Sequence, residues 1–170
     1  MTSPQYILRP VNPLFIAFTL AIAFIANLLP WGHSQWVPDF VALVLVFWNT
    51  HHPRKVGIGV AFVMGILMDV HEASLLGEHA LAYTLLSYGA IMLHRRVLWF
   101  RLPAQTLHVL PLFLIAQLVN VVVHFFVTRR LPGPEVFIEC LTTTALWPAA
   151  TWLLLSPQRR PRNRDENRPI

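Results

Sequence analysis

Most charged residues in this chain are gathered into short clusters, and six apolar segments are set off by those clusters or, between the first and second, by an uncharged turn of proline, glycine and polar residues. The segments are roughly Leu14–Leu29, Val37–Asn49, Val56–Val70, Ala80–Leu93, Leu107–Val127 and Val136–Leu155. Only 12% of the 170 residues are charged, against about 25% in soluble domains, while 55% are apolar. Mean hydropathy is +0.54. A surface so poor in charge cannot mostly face water. The arrangement predicts an all-α, polytopic membrane bundle of about six helices over residues 1–157, followed by a basic, disordered tail over 158–170.

A lone spanning helix needs about 20 apolar residues, and the second and third segments are shorter than that. Either they penetrate halfway, or they span with their polar ends shielded by neighbouring helices. Charge placement decides the expectation. With the N-terminus inside, Arg9, Arg54, Lys55, Arg95, Arg96, Arg101 and the tail's Arg159, Arg160, Arg162, Arg164 and Arg168 are cytoplasmic, leaving only Arg129 and Arg130 outside. Eleven of 13 basic residues inside agrees with the positive-inside bias, and the reverse orientation does not. Merging segments two and three into a re-entrant pair preserves the same count with four crossings. Six is the expectation, with both ends at the cytoplasmic face of the membrane.

Arg9 precedes the first apolar run, but no small-x-small cleavage site comes after it, so this segment reads as a retained helix. Trp31 and Trp36 would mark the outer interface and Trp48, Trp99 and Trp152 the inner one, while for Trp147 packing between helices stays open as the alternative. Pro111 and Pro148 fall inside segments and predict kinks. A pI near 10.4 invites a nucleic-acid reading. The basic residues lie in juxtamembrane clusters without a recognition helix or stacking aromatics, and that excludes it. The single cysteine, Cys140, sits in an apolar run and reads as a small buried hydrophobe.

In the third segment Gly57, Ala61, Gly65, Asp69, Ala73 and Gly77 recur every four residues, a spacing that keeps side chains on nearly one helix face. Five of the six are small, so another backbone can approach closely. Asp69 shares that face, about 20 Å along the helix from Val56 at 1.5 Å per residue. An ionisable group at such depth costs at least ~2.5 kcal/mol and points either to function or to a brace for the adjoining turn. That turn, Asp69 to His79, is rich in acids and histidines but lacks the ligand spacing of a helical metal site, and it reads as a solvated outer loop. A polar stripe of Gln117, Asn120 and His124 in segment five, and Glu139, Thr143 and Thr151 in segment six, suit hydrogen bonding between helices. These deep polar groups look scattered. No serine elbow, phosphate-cradling loop, paired acids or cysteine–histidine pair appears, so no enzyme, cofactor or metal is expected.

The run from Pro38-Asp39 through Trp48, then Gly57-Ile58-Gly59, Gly65-Ile66-Leu67-Met68-Asp69 and Ser74-Leu75-Leu76-Gly77-Glu78-His79, resembles the MreD family of the bacterial rod-shape machinery. The matching block covers about Pro38 to Tyr88. The resemblance implies a non-enzymatic scaffold that binds MreC, a bitopic protein with a periplasmic coiled coil and β-domain. Through it the subunit connects MreB filaments to the RodA glycosyltransferase and its partner class B transpeptidase. It also implies a fold shared with substrate-binding membrane subunits of energy-coupling-factor transporters. Carried onto this chain, the motif positions are Pro38, Asp39, Gly65, Asp69, Ser74, Gly77 and His79, with Gly57 and Ala61 as packing positions. A vitamin-binding transporter subunit is the alternative. It should line its pocket with convergent polar groups.

Overall fold

The computed structural model describes residues 11–31, 36–129, 131–133 and 135–158, and these are helical with no strand among them. The basic tail lies outside the described residues from 159 onward. Helix α1 (Pro13–Leu28) starts where Asn12 accepts the Leu14 N–H at 3.0 Å and Pro13 presets the first turn. Helix α2 (Phe40–His51) starts the same way, its Asp39 carboxylate accepting the Ala42 N–H at 2.9 Å. Helix α3 (Gly57–His71) and helix α4 (Glu78–Trp99) form a tight pair, and α5 (Leu102–Thr128) returns along α4.

The sixth apolar segment is divided into α6 (Val136–Ala145) and α7 (Trp147–Leu155), whose axes bend by 42° at Leu146. Pro148 explains the break: it has no N–H to give, and its ring collides with the carbonyl four residues back. Pro111 has no such effect, and α5 runs through it without interruption.

The centre of the bundle is α2. Every residue from Val41 to Thr50 is buried. A helix apolar on all sides must be enclosed on all sides, and α1, α4 and α7 pack around this one. By contrast the outer faces of the surrounding helices expose Phe18, Ile22, Phe62, Val63, Met92, Leu118, Phe126 and Leu153. Soluble folds do not leave so much contiguous apolar surface. By length and composition, α5 alone passes as a membrane span among the described residues, the bent pair of α6 and α7 passes as one more, and α1, α2 and α3 are shorter apolar helices.

The tryptophans divide differently from the expected belt. Trp31, Trp36, Trp99 and Trp152 are exposed. Trp48, however, is fully buried: its indole N–H donates to Thr19 Oγ1 at 2.9 Å, and its ring meets Phe15 and Phe47 edge-on. Trp48 is a core residue because α2 ends inside the protein. Trp147 is buried as well, and so is Cys140, whose thiol lies 3.5 Å from the Phe113 carbonyl.

Candidate functional site

Two polar centres hold the bundle, and both are built on the family-motif positions. The first joins α3 to α4. Asp69, 1% exposed, stands at the last turn of α3 and turns its carboxylate onto the start of α4. Its Oδ1 accepts the His79 N–H at 2.7 Å and the Ser74 hydroxyl at 3.2 Å, while its Oδ2 accepts the Gly77 N–H at 2.7 Å and the Ala80 N–H at 3.4 Å. The His79 ring approaches the same Oδ1 at 3.0 Å through Nδ1, which must carry the proton because a carboxylate only accepts. A helix leaves its first amides unpaired and carries partial positive charge there, so a carboxylate at this point answers both needs. Gly77 makes the geometry possible: it sits at φ +107°, a left-handed conformation that costs glycine least.

Gly65, one turn earlier on α3, sets the distance between the two helices. A Cβ there would lie 2.3 Å from Ala80 Cα and 2.5 Å from Ala80 N. The α4 backbone therefore rests directly on Gly65, with buried Ala61 a turn further along. The four-residue recurrence reaches beyond the helical seam at both ends. Gly57 meets nothing within 4 Å and serves a left-handed φ of +65° where the chain enters α3. Ala73 and Gly77 lie past the end of α3, in the turn.

The second centre is Asp39. Its Oδ2 accepts the Tyr83 hydroxyl at 2.6 Å, its Oδ1 accepts Asn27 Nδ2 at 3.0 Å, and its own N–H donates to Thr143 Oγ1 at 2.9 Å. Asn27 also receives the Phe40 N–H at 3.0 Å. Residues of α1, α4 and α6 thus meet at the cap of α2. The deep polar groups are not scattered, as their sequence positions suggest. They converge here, and Gln117, Asn120 and Glu139 line a small recess beside Asp39 and Tyr83. Asn27 and Tyr83 escape the sequence reading, although each is a lone polar group in an apolar segment, which is the signal for an interior partner. The threonines of α6 and α7 behave less like interhelical links than their spacing suggests. Thr142, Thr144 and Thr151 donate to carbonyls of their own helices, and of the hydroxyls named only Thr143 reaches another helix.

Tyr83 is 2% exposed, so removing its hydroxyl strands an acceptor where no water replaces it. Tyr83→Phe is expected to lower stability by about 2 kcal/mol, the usual worth of a buried hydrogen bond to a charged group. Thermal unfolding in detergent reads this, and an unchanged midpoint would remove Asp39 from its central role.

Beside Asp39 a cleft of about 520 Å³ opens between the end of α1, the starts of α2 and α6, and the end of α3. Four carboxylates, Asp39, Glu72, Glu135 and Glu139, line it together with Pro38, Asn27, Trp31 and His71. Desolvation raises the Glu72 carboxyl above its ordinary value; His79 opposes the shift, and Asp39 adds to it. His79 Nε2 lies 3.5 Å from Glu72, and His124 of the α5 stripe lies 3.9 Å from Glu78. Chemically the cleft suits a cationic group. Asp39 itself is already engaged by protein donors.

A second opening, an apolar groove of about 530 Å³, separates α1 from α7. Leu43 and Val44 of α2 contribute to it, with Ala23 and Ala26 on one side and Ala149 and Ala150 on the other.

The family model for the rod shape-determining protein MreD matches residues 8–156. Among curated proteins, the rod shape-determining protein MreD of Haemophilus influenzae is 31% identical over 140 residues, which cover 79% of this chain and 82% of that protein. No solved structure matches the chain.

Proposed function

The chain belongs to the MreD family of rod shape-determining membrane proteins, and from that premise we propose that it is a non-enzymatic scaffold whose work is to hold a partner's membrane helix. The bundle crosses the inner membrane six times with both ends cytoplasmic, in a fold like that of energy-coupling-factor substrate-binding subunits. The eleven-to-two asymmetry of basic residues supports the orientation, and the exposed apolar faces support the bilayer setting. At 12 residues α2 is only about 18 Å long. It is shielded by its neighbours, so its ends need not reach the headgroups.

The observation that carries the proposal is the groove between α1 and α7. In lipid there is no hydrophobic force between helices, so association depends on close packing, and small residues allow it. Alanines on both sides admit a helix backbone, and the apolar lining suits the single membrane helix of an MreC-like bitopic protein. The acidic cleft then faces the periplasm and complements basic residues that flank such a helix. Through this partner the subunit couples MreB filaments to a RodA-type glycosyltransferase and a class B transpeptidase.

Affinity purification in mild detergent tests this directly. The MreC-like protein should co-purify with the wild-type chain, and Ala150→Trp, which fills the groove, should lower its recovery at least tenfold while the bundle stays folded. Depletion should turn rod-shaped cells round. A bound vitamin, with loss rescued by that nutrient and cell shape unchanged, would establish a transporter subunit in place of the scaffold.

A further inference from the structure

The α4–α5 turn carries a feature that neither the partner groove nor the acidic cleft accounts for. A lateral cleft of about 720 Å³ opens there, with Leu93 and Val97 of α4 and Leu107 and Pro111 of α5 as apolar walls. Arg96 and Trp99 also line it. Trp99 is 89% exposed, which in a membrane protein marks a ring lying at the headgroup level. Arg95, Arg96 and Arg101 crowd the same turn, all three are exposed, and none forms an ion pair among the described residues. Three exposed guanidinium groups without a carboxylate partner among the described residues attract anions, and at a membrane interface the anion at hand is lipid phosphate.

We infer that this cleft binds one phosphatidylglycerol molecule of the cytoplasmic leaflet, its phosphate on Arg96 and an acyl chain along Leu93, Val97, Leu107 and Pro111. The inference rests on the orientation proposed above, which places the α4–α5 turn at the cytoplasmic face. A single phosphate fits better than two because only one of the three arginines lines the cleft. Arg96 selects against zwitterionic lipids, whose ammonium it repels, while Arg95 and Arg101 only add to the positive field from outside the cleft. An acyl chain covers the exposed Leu107 as a water-filled cleft cannot.

The full chain, purified in mild detergent and placed in phosphatidylethanolamine nanodiscs with titrated phosphatidylglycerol, is measured by native mass spectrometry. One phosphatidylglycerol should be retained, with at least about fivefold preference over phosphatidylethanolamine, the factor that one arginine at the headgroups supplies. Arg96→Ala should abolish the preference and Arg95→Ala should largely keep it. Leu107→Trp, which fills the cleft at constant charge, should also abolish it, and thermal unfolding confirms that each variant is folded. Equal retention of the two lipids, undiminished binding by Arg96→Ala, or preferential retention of cardiolipin overturns the assignment. A phosphatase fusion after Arg101 separates the two failures. An active reporter there refutes the orientation and with it the leaflet, whereas an inactive reporter without lipid preference refutes the site alone.

Discussion

Gly65→Leu is expected to leave little folded protein in the membrane. A side chain at this position starts 2.3 Å from Ala80 Cα, and what it meets is backbone, which cannot swing aside as a flexible side chain does. Overpacking a core ordinarily costs ~1–3 kcal/mol where side chains can rearrange. Here α3 and α4 must part by more than an ångström, and the cost should exceed about 3 kcal/mol even for Gly65→Ala. The separation also stretches the bonds from Asp69 to the His79 and Ala80 amides, so the seam and the brace fail together. Leu67→Ile on the exposed side of α3 is the control, with an effect within ~0.5 kcal/mol. Membrane levels, thermal unfolding in detergent and rescue of rod shape in a depleted strain read both variants. If Gly65→Leu accumulates and restores shape like the wild type, the two helices do not touch there.

Asp69 should be nearly as sensitive, and more discriminating. Read from the sequence, Asp69→Asn keeps size and hydrogen bonding and is expected to retain much of the function. The structure reverses that expectation. Both carboxylate oxygens accept backbone amides at 2.7 Å, one from His79 and one from Gly77. An asparagine has one acceptor to offer and must point its N–H₂ at the other amide, donor against donor. It also removes the negative charge from the start of α4. Asp69→Asn is therefore expected to lose about 2–3 kcal/mol, the scale of a hydrogen bond to a charged group. Asp69→Leu, which strands all the amides, should lose more than about 4 kcal/mol by the same reasoning. Unfolding midpoints should fall in the order wild type, Asn, Leu, and hydrogen exchange at Gly77, His79 and Ala80 should quicken in both variants. An asparagine variant with wild-type stability would mean that the amides find other partners.

Legibility in the sequence differs from residue to residue. Gly65 and Asp69 declare themselves, because a small residue and a lone acid four positions apart in an apolar helix share one face whatever the helix packs against. Gly57 carries the same sequence signal and a different meaning. Its spacing is that of a seam position, yet its backbone conformation, which one-dimensional spacing does not encode, is what the chain uses. Asn27 and Tyr83 are legible as interior polar groups, but their common partner Asp39 lies 12 and 44 residues away, and no local pattern links them. Trp48 reads as a belt residue only while α2 is pictured as reaching the interface.

By itself the sequence determined the features that depend on solvent and on short-range geometry. Apolar segments set off by charged clusters and polar turns make a helical membrane chain, proline and aspartate open α2, and Pro148 lets the last segment break. The motif block from Pro38 to His79 was enough to point to the family. Tertiary structure alone decided which helix lies at the centre, that the scattered polar residues meet at Asp39, and that Asp69 spends both oxygens on the start of α4. The physical reason is that periodicity tells which residues share a face but not which face meets which. Burial, hydrogen-bond satisfaction and backbone contact are properties of pairs distant in the chain, and they exist only once the helices have packed.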